Sequence, residues 1–154
     1  MQSAPVRPGD LVVDLGAGSG AVTEHLVELG ARVIAVELHP GRAQALIDRY
    51  GSAVRVLRLD LADYRFPREP FRVVANPPYL RSTHLVHELL RSERLMSADL
   101  VLQRGVARRF VERPPAGRDK RRFTLAEGLR MPRSAFVRPP QVDSSVLQIR
   151  RRSR

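Results

Sequence analysis

Leu11-Val12-Val13-Asp14-Leu15-Gly16-Ala17-Gly18-Ser19-Gly20 is the stretch that decides the fold. A short apolar run with one acid reads as a buried strand, and three glycines at alternate positions end it. Glycine has no Cβ, so a turn of this kind lets a ligand approach the backbone where side chains would collide. Ala21 to Leu29 follows with Val22, Leu26 and Leu29 at helical spacing, and Gly30 stops it. Strand, glycine turn and helix in that order are how an open α/β sheet builds a ligand crevice at a strand's carboxyl end.

Outward from that unit the alternation continues. Arg32 to Glu37 is a β-branched strand, and Pro40 to Tyr50 a helix with proline in its first turn and Gly51 past its end. Val54 to Leu59 and Phe71 to Ala75 are strands, the second closed by Asn76-Pro77-Pro78-Tyr79. Ser82 to Leu90 is a helix capped by Ser82 or Thr83, Ala98 to Leu102 a strand, and Gly105 to Val111 a helix. The pattern then stops at a proline- and charge-rich loop, Arg113 to Arg122. Phe123 to Met131 and Ser145 to Arg150 read as an antiparallel hairpin. The expected class is α/β: a Rossmann-like, doubly wound, mostly parallel seven-stranded sheet with an antiparallel C-terminal hairpin. Residues 1–150 make one domain, and residues 151–154 (RRSR) a frayed basic tail.

Composition narrows the chemistry. At 43% apolar the 154 residues can bury a core. No apolar run approaches membrane length and no signal peptide is visible, so the expected compartment is the cytoplasm. The absence of cysteine excludes disulfides, thiolate zinc sites, iron–sulfur clusters and cysteine nucleophiles. His25, His39, His84 and His87 show no metal-ligand spacing, so no metal is expected. Residues 1–103 carry 12 Arg against 12 Asp or Glu, whereas residues 104–154 carry 15 Lys or Arg against 4 acids. The whole net charge of +11 therefore sits in the last third. Only Lys120 is a lysine, and arginine's planar fork suits phosphate. That asymmetry points to a polyanionic partner.

Four elements carry chemistry. The glycine turn is the first, and Gly16-x-Gly18-x-x-Ala21 also fits the relaxed dinucleotide fingerprint. Glu37 ends the second strand 21 residues after Gly16, where a carboxylate can accept from both ribose hydroxyls of a nucleoside. That suits NAD and S-adenosylmethionine equally. Asp60, ending the third strand, can accept from an adenine amino group. Asn76-Pro77-Pro78-Tyr79 supplies an amide oxygen, backbone carbonyls with no proline N–H beside them, and an aromatic ring. Two acceptors and a stacking face make a pocket for an amino group on a flat ring, which must be flipped out or unpaired to enter.

DLGAGSG, VIAVE, LD and NPPY, in this order and at these spacings, resemble the class I S-adenosylmethionine-dependent methyltransferases. The NPPY motif also occurs in DNA-adenine and protein-glutamine enzymes. Residues 101–109 (VLQRGVARR) and 132–146 (PRSAFVRPPQVDSSV) are similar to the ribosomal RNA adenine N6-dimethyltransferases. LQRGVARR and Pro132-Arg133 lean toward the erythromycin-resistance (Erm) branch. The resemblance covers residues 9–150.

The resemblance implies methyl transfer from S-adenosylmethionine to N6 of an adenine in ribosomal RNA, with 23S rRNA and macrolide-type resistance expected for that branch. It implies that Asp14, Gly16, Ala17, Gly18, Gly20, Glu37, Leu38, Asp60, Leu61 and Asn76 hold the cofactor. Asn76 and the Pro77 carbonyl accept from the target amino group, while Tyr79 and Phe136 pack against its ring from opposite sides. Arg104, Arg108, Arg109, Arg118, Lys120, Arg121, Arg122 and Arg138 are the expected RNA contacts, and the expected state is a monomer. Family members usually carry a segment before the glycine-rich strand and a helical domain after the last one, and this chain is expected to lack both. A fold kept for RNA binding or assembly without turnover is the alternative of a different class.

Overall fold

β1 (Leu11–Leu15) is buried at all five positions, as its nearly unbroken apolar run requires of a central parallel strand. The computed structural model describes residues 6–117, 121–136 and 140–153, in two compact units, Met1–Asn76 and Pro77–Arg154.

In the first unit β1 is followed by α1 (Ala21–Glu28), β2 (Arg32–Val36), α2 (Pro40–Tyr50), β3 (Val54–Leu57) and β4 (Phe71–Ala75). The strands lie in the order β3-β2-β1-β4, all parallel. Leu26 of α1 and Leu46 of α2 cluster with Val12, Val33, Ala35 and Val54 of the sheet. Each such side chain, fully buried, contributes about 1.5–3 kcal/mol. An aromatic ladder supports β4: Phe66 stacks on Phe71 at 5.3 Å and Tyr64 meets Phe66 edge-on at 5.4 Å. α2 is capped by the His39 imidazole, whose Nδ1 accepts from the Arg42 N–H at 3.3 Å. β3 stops at Leu57, two residues before the expected Leu59. The Leu57 carbonyl takes the Glu37 N–H at 3.0 Å, and the chain then turns into a 3-10 turn at Leu61–Asp63.

The second unit holds α3 (Tyr79–Arg91), β5 (Leu95–Gln103), α4 (Arg104–Glu112), β6 (Phe123–Met131) and β7 (Ser144–Arg151). Its strands lie in the order β5-β7-β6, both pairings antiparallel. With four parallel strands in the first unit, these complete the seven strands and the C-terminal hairpin that the sequence implied.

Other boundaries also differ from expectation. α3 begins at Tyr79 rather than Ser82, because Pro78 supplies the extended entry residue. Ser82 is therefore no cap: it is buried inside the helix, where its hydroxyl donates to the Tyr79 carbonyl at 2.9 Å. β5 begins three residues early, at Leu95, and pairs with its antiparallel partner from Ser97 to Gln103. The tail begins later than residue 151, since β7 includes Arg151. The Arg151 guanidinium donates to the carbonyls of Leu95 (2.7 Å), Ser92 (3.2 Å) and Glu93 (2.9 Å), and lies 4.8 Å over the Phe123 ring. Arg152 donates from its backbone to Arg122 O at 2.8 Å and from Nε to Phe123 O at 3.3 Å. Among the described residues no helix is long and apolar enough to cross a membrane.

Candidate active site

Parallel register brings the first unit's site residues to one edge. Leu15 lies opposite Val36 and Ala75, and Val36 opposite Leu57. Gly16, Glu37 and Asn76, which follow those strand ends, therefore leave the sheet side by side. β1 sits where the strand order reverses, with β2 and β3 on one side and β4 on the other. Open α/β sheets bind ligands outside the carboxyl ends of strands at such a point.

The turn after β1 is held by its neighbour. The N–H groups of Gly16 and Ala17 both donate to the Val36 carbonyl, at 2.9 and 3.1 Å. Gly16 has φ +73° and Gly20 φ +89°, a region that L side chains rarely adopt. A Cβ on Gly20 would stand 2.7 Å from Leu46 Cδ2, so the end of that buried side chain would have to shift. A Cβ on Gly16 would meet the Asn76 carbonyl at 3.6 Å, which places the turn against the end of β4.

Two carboxylates open on this edge with little solvent around them. Asp14 is 2% exposed and Glu37 7%. Burial pushes the Asp14 carboxyl above the ordinary carboxylate range; the Thr23 hydroxyl, donating at 2.6 Å, opposes this, and the Glu37 charge adds to it. Glu37 Oε1 lies 3.6 Å from Arg42 Nη1. Desolvated acids beside a glycine-rich turn suit a ligand that brings hydroxyl donors and positive charge.

The other cofactor candidates vary. Ala17 is buried, Leu38 is 58% exposed, and Asp60 and Leu61 are half-buried. Asp60 does not end the strand as expected. It caps the 3-10 turn, its Oδ1 accepting from Ala62 N–H at 2.9 Å. Asn76 is exposed just after β4. In the second unit Pro77 is buried, Tyr79 is 43% exposed at the start of α3, and Phe136 is half-buried after a 3-10 turn at Arg133–Ala135.

The expected RNA contacts divide into three groups. Arg109 and Arg121 are exposed. Arg104 lies 3.5 Å from Glu127, Arg108 is 3.4 Å from Glu112, and Arg122 donates to the Leu90 carbonyl at 3.0 Å. Arg118, Lys120 and Arg138 lie outside the described residues. Arg150 is also engaged, at 2.7 Å from Asp99 and 3.1 Å from Ala98 O. Much of the positive charge after Gln103 is thus already bonded to the protein itself.

Sequence reasoning missed Thr23 and Arg42. Thr23 is fully buried on α1, three residues before Leu26, and a hydroxyl on the apolar stripe of a short helix is a readable sign of a buried partner. Arg42 carries no such sign.

The chain belongs to the ribosomal RNA adenine dimethylase family, whose model matches residues 1–154. It is 34% identical to a probable ribosomal RNA small subunit methyltransferase A of Methanopyrus kandleri, over 97% of this chain and 56% of that protein. It is 35% identical to an rRNA adenine N-6-methyltransferase of Streptomyces fradiae, over 96% of this chain and 49% of that protein. The crystal structure of the 23S rRNA methyltransferase ErmE superposes with a TM-score of 0.86 at 26% identity, covering 96% of this chain and 64% of that one. The chain spans about half the length of the relatives it matches.

Proposed function

We propose that this chain binds S-adenosylmethionine and transfers its methyl group to N6 of an adenine in ribosomal RNA, acting in the cytoplasm as a monomer. The observation that carries the reading is the convergence of the Gly16 turn, Glu37 and Asn76 at the carboxyl ends of β1, β2 and β4. The desolvated pair Asp14 and Glu37 fits a cofactor with positive charge and ribose hydroxyls. In this reading residues 1–150 are the methyltransferase domain. Asp14, the turn from Gly16 to Gly20, Glu37, Leu38, Asp60 and Leu61 surround the cofactor.

When bound, S-adenosylmethionine supplies an electrophilic methyl group, so the protein's tasks are orientation and nucleophile preparation. The adenine amino lone pair is delocalised into its ring. Asn76 Oδ1 and the Pro77 carbonyl accept its two N–H groups and favour a tetrahedral nitrogen with the lone pair free. The same acceptors stabilise the positive charge that develops on N6. Tyr79 and Phe136 hold the extruded ring by its faces. Arg109, Arg118, Lys120, Arg121 and Arg138 are the cations proposed for RNA. Arg104, Arg108 and Arg122 serve the fold first.

We infer 23S rRNA as the target and macrolide-type resistance as the consequence. The Arg-rich stretch around Arg104 and the likeness to the Streptomyces fradiae enzyme and to ErmE support this. The test is incubation of the chain with 16S or 23S rRNA and methyl-labelled cofactor, followed by mapping. Label on an adenine N6 of 23S rRNA is the expected result. Label on 16S rRNA moves the target to the small subunit, and no label on either removes the catalytic reading. Asn76→Ala should abolish transfer and leave cofactor affinity near wild type.

A further inference from the structure

A groove of about 750 Å3 in the first unit lies at the opposite end of the strands from the glycine turn. Register defines it: Leu11 pairs with Arg32 at the amino ends of β1 and β2, and Arg55, near the amino end of β3, pairs with Ile34 in the middle of β2. From Leu11 to Leu15 the sheet rises ~13 Å at ~3.3 Å per residue, so the groove and the cofactor crevice share no residue.

Its lining is apolar below and cationic at the rim. Leu11 and Ile34 form part of the floor, and Arg32, Arg55 and Arg68 border it. The acid among the lining residues is Glu69, and Arg32 already occupies it at 2.8 Å while also donating to Gly9 O at 3.1 Å. Arg55 and Arg68 are exposed, and among the described residues neither forms an ion pair. The charge of Arg55 does reach the buried Tyr64 hydroxyl, whose pKa burial raises and Arg55 holds down.

We propose that this groove is a second RNA contact, which takes the phosphodiester backbone of the substrate at a distance from the methylated base. The proposal rests on the RNA reading above. Two guanidinium groups free of carboxylates, above a floor that tolerates sugar and base faces, are complementary to consecutive phosphates and not to a neutral ligand. Charge counting along the chain hid the site. The first 103 residues are neutral in sum, but the acid lining this groove, Glu69, is taken by Arg32.

The experiment measures affinity and its salt dependence on the full chain, with two RNAs: a short stem-loop carrying the target adenine, and a fragment extended on both sides. Arg55→Glu with Arg68→Glu should weaken the extended fragment about tenfold or more and flatten its log–log salt slope by ~0.7–0.9 per lost phosphate contact. The short stem-loop and the thermal shift produced by S-adenosylmethionine should be unchanged. Unchanged affinity and slope on the extended fragment would overturn the proposal. So would an equal loss from Arg94→Glu compared with Arg55→Glu alone, since Arg94 is an exposed cation of the second unit and its reversal changes net charge by the same amount. A wild-type chain that binds neither RNA also overturns it. Asn76→Ala separates the two readings: if that variant still methylates, the proposed chemistry fails while the groove result stands.

Discussion

Thr23 Oγ1 donates to Asp14 Oδ2 across 2.6 Å, and both residues are sealed from solvent. A buried carboxyl with one neutral donor and a second acid nearby is held above its ordinary pKa of 3.8. Its contribution to stability is complete below the unfolded pKa and is lost as pH rises through the folded one. Asp14→Asn keeps an acceptor for Thr23 and removes the charge. The variant should be more stable than wild type at neutral pH, with the gap closing in acid. Melting temperatures between about pH 4 and about pH 8 test this, and a gap independent of pH would contradict it. Cofactor affinity should fall in the same variant if the proposed cofactor site draws on this charge, which lies two residues before Gly16.

Gly20→Ala should cost ~1–2 kcal/mol from the left-handed backbone alone. The clash with Leu46 Cδ2 at 2.7 Å adds to that. Gly9, at φ +86° with nothing within 4 Å of a Cβ, provides the comparison, since Gly9→Ala meets no packing clash. Urea unfolding should rank Gly20→Ala below Gly9→Ala.

Arg72 Nε lies 3.0 Å from Asp10 Oδ2, with the two side chains 17% and 28% exposed. Burial pushes Asp10 up, but the Arg7 N–H and the Arg72 guanidinium outweigh it, and the carboxyl sits below 3.8. The pair therefore stabilises above the unfolded pKa and is lost as pH falls through the folded one. Asp10→Asn should lose about 1 kcal/mol or less at neutral pH and nothing in strong acid, read from denaturant midpoints at both extremes.

Arg151→Lys should destabilise the chain by ~1–3 kcal/mol, because the three donors of an ammonium radiate from one nitrogen and cannot span the carbonyls that Nε and Nη2 now reach separately. Arg121→Lys, at an exposed position, should stay within about 0.5 kcal/mol of wild type. Equal midpoints for the two variants would remove the structural role given to Arg151.

The first unit was largely legible in sequence because its signals are local. The glycines after Leu15 force their own turn, and Gly30 and Gly51 punctuate where the helices end. Leu59 misled the reading of β3, since apolar character does not reveal whether a residue is paired. α3 was placed late because Pro78 starts the helix through backbone shape, whereas Ser82 merely looks like a cap. Asp14, Glu37 and Asn76 were found as singles. Their adjacency follows from register, which no single segment encodes. Arg151 and Arg152 were misread for a related reason: their partners lie 29 to 59 residues away in the chain.

The grip of Arg151 on Ser92, Glu93 and Leu95 bears on how this sequence can drift. Exchange between arginine and lysine is ordinarily the most silent change a basic surface can make. Here it is closed at position 151, where a planar fork and not a charge is being used, and remains open at Arg109 and Arg121. A library scanning every arginine to lysine would sort the basic residues into two populations, mortar and bait. The first would register in folding yield, and the second only when RNA is present.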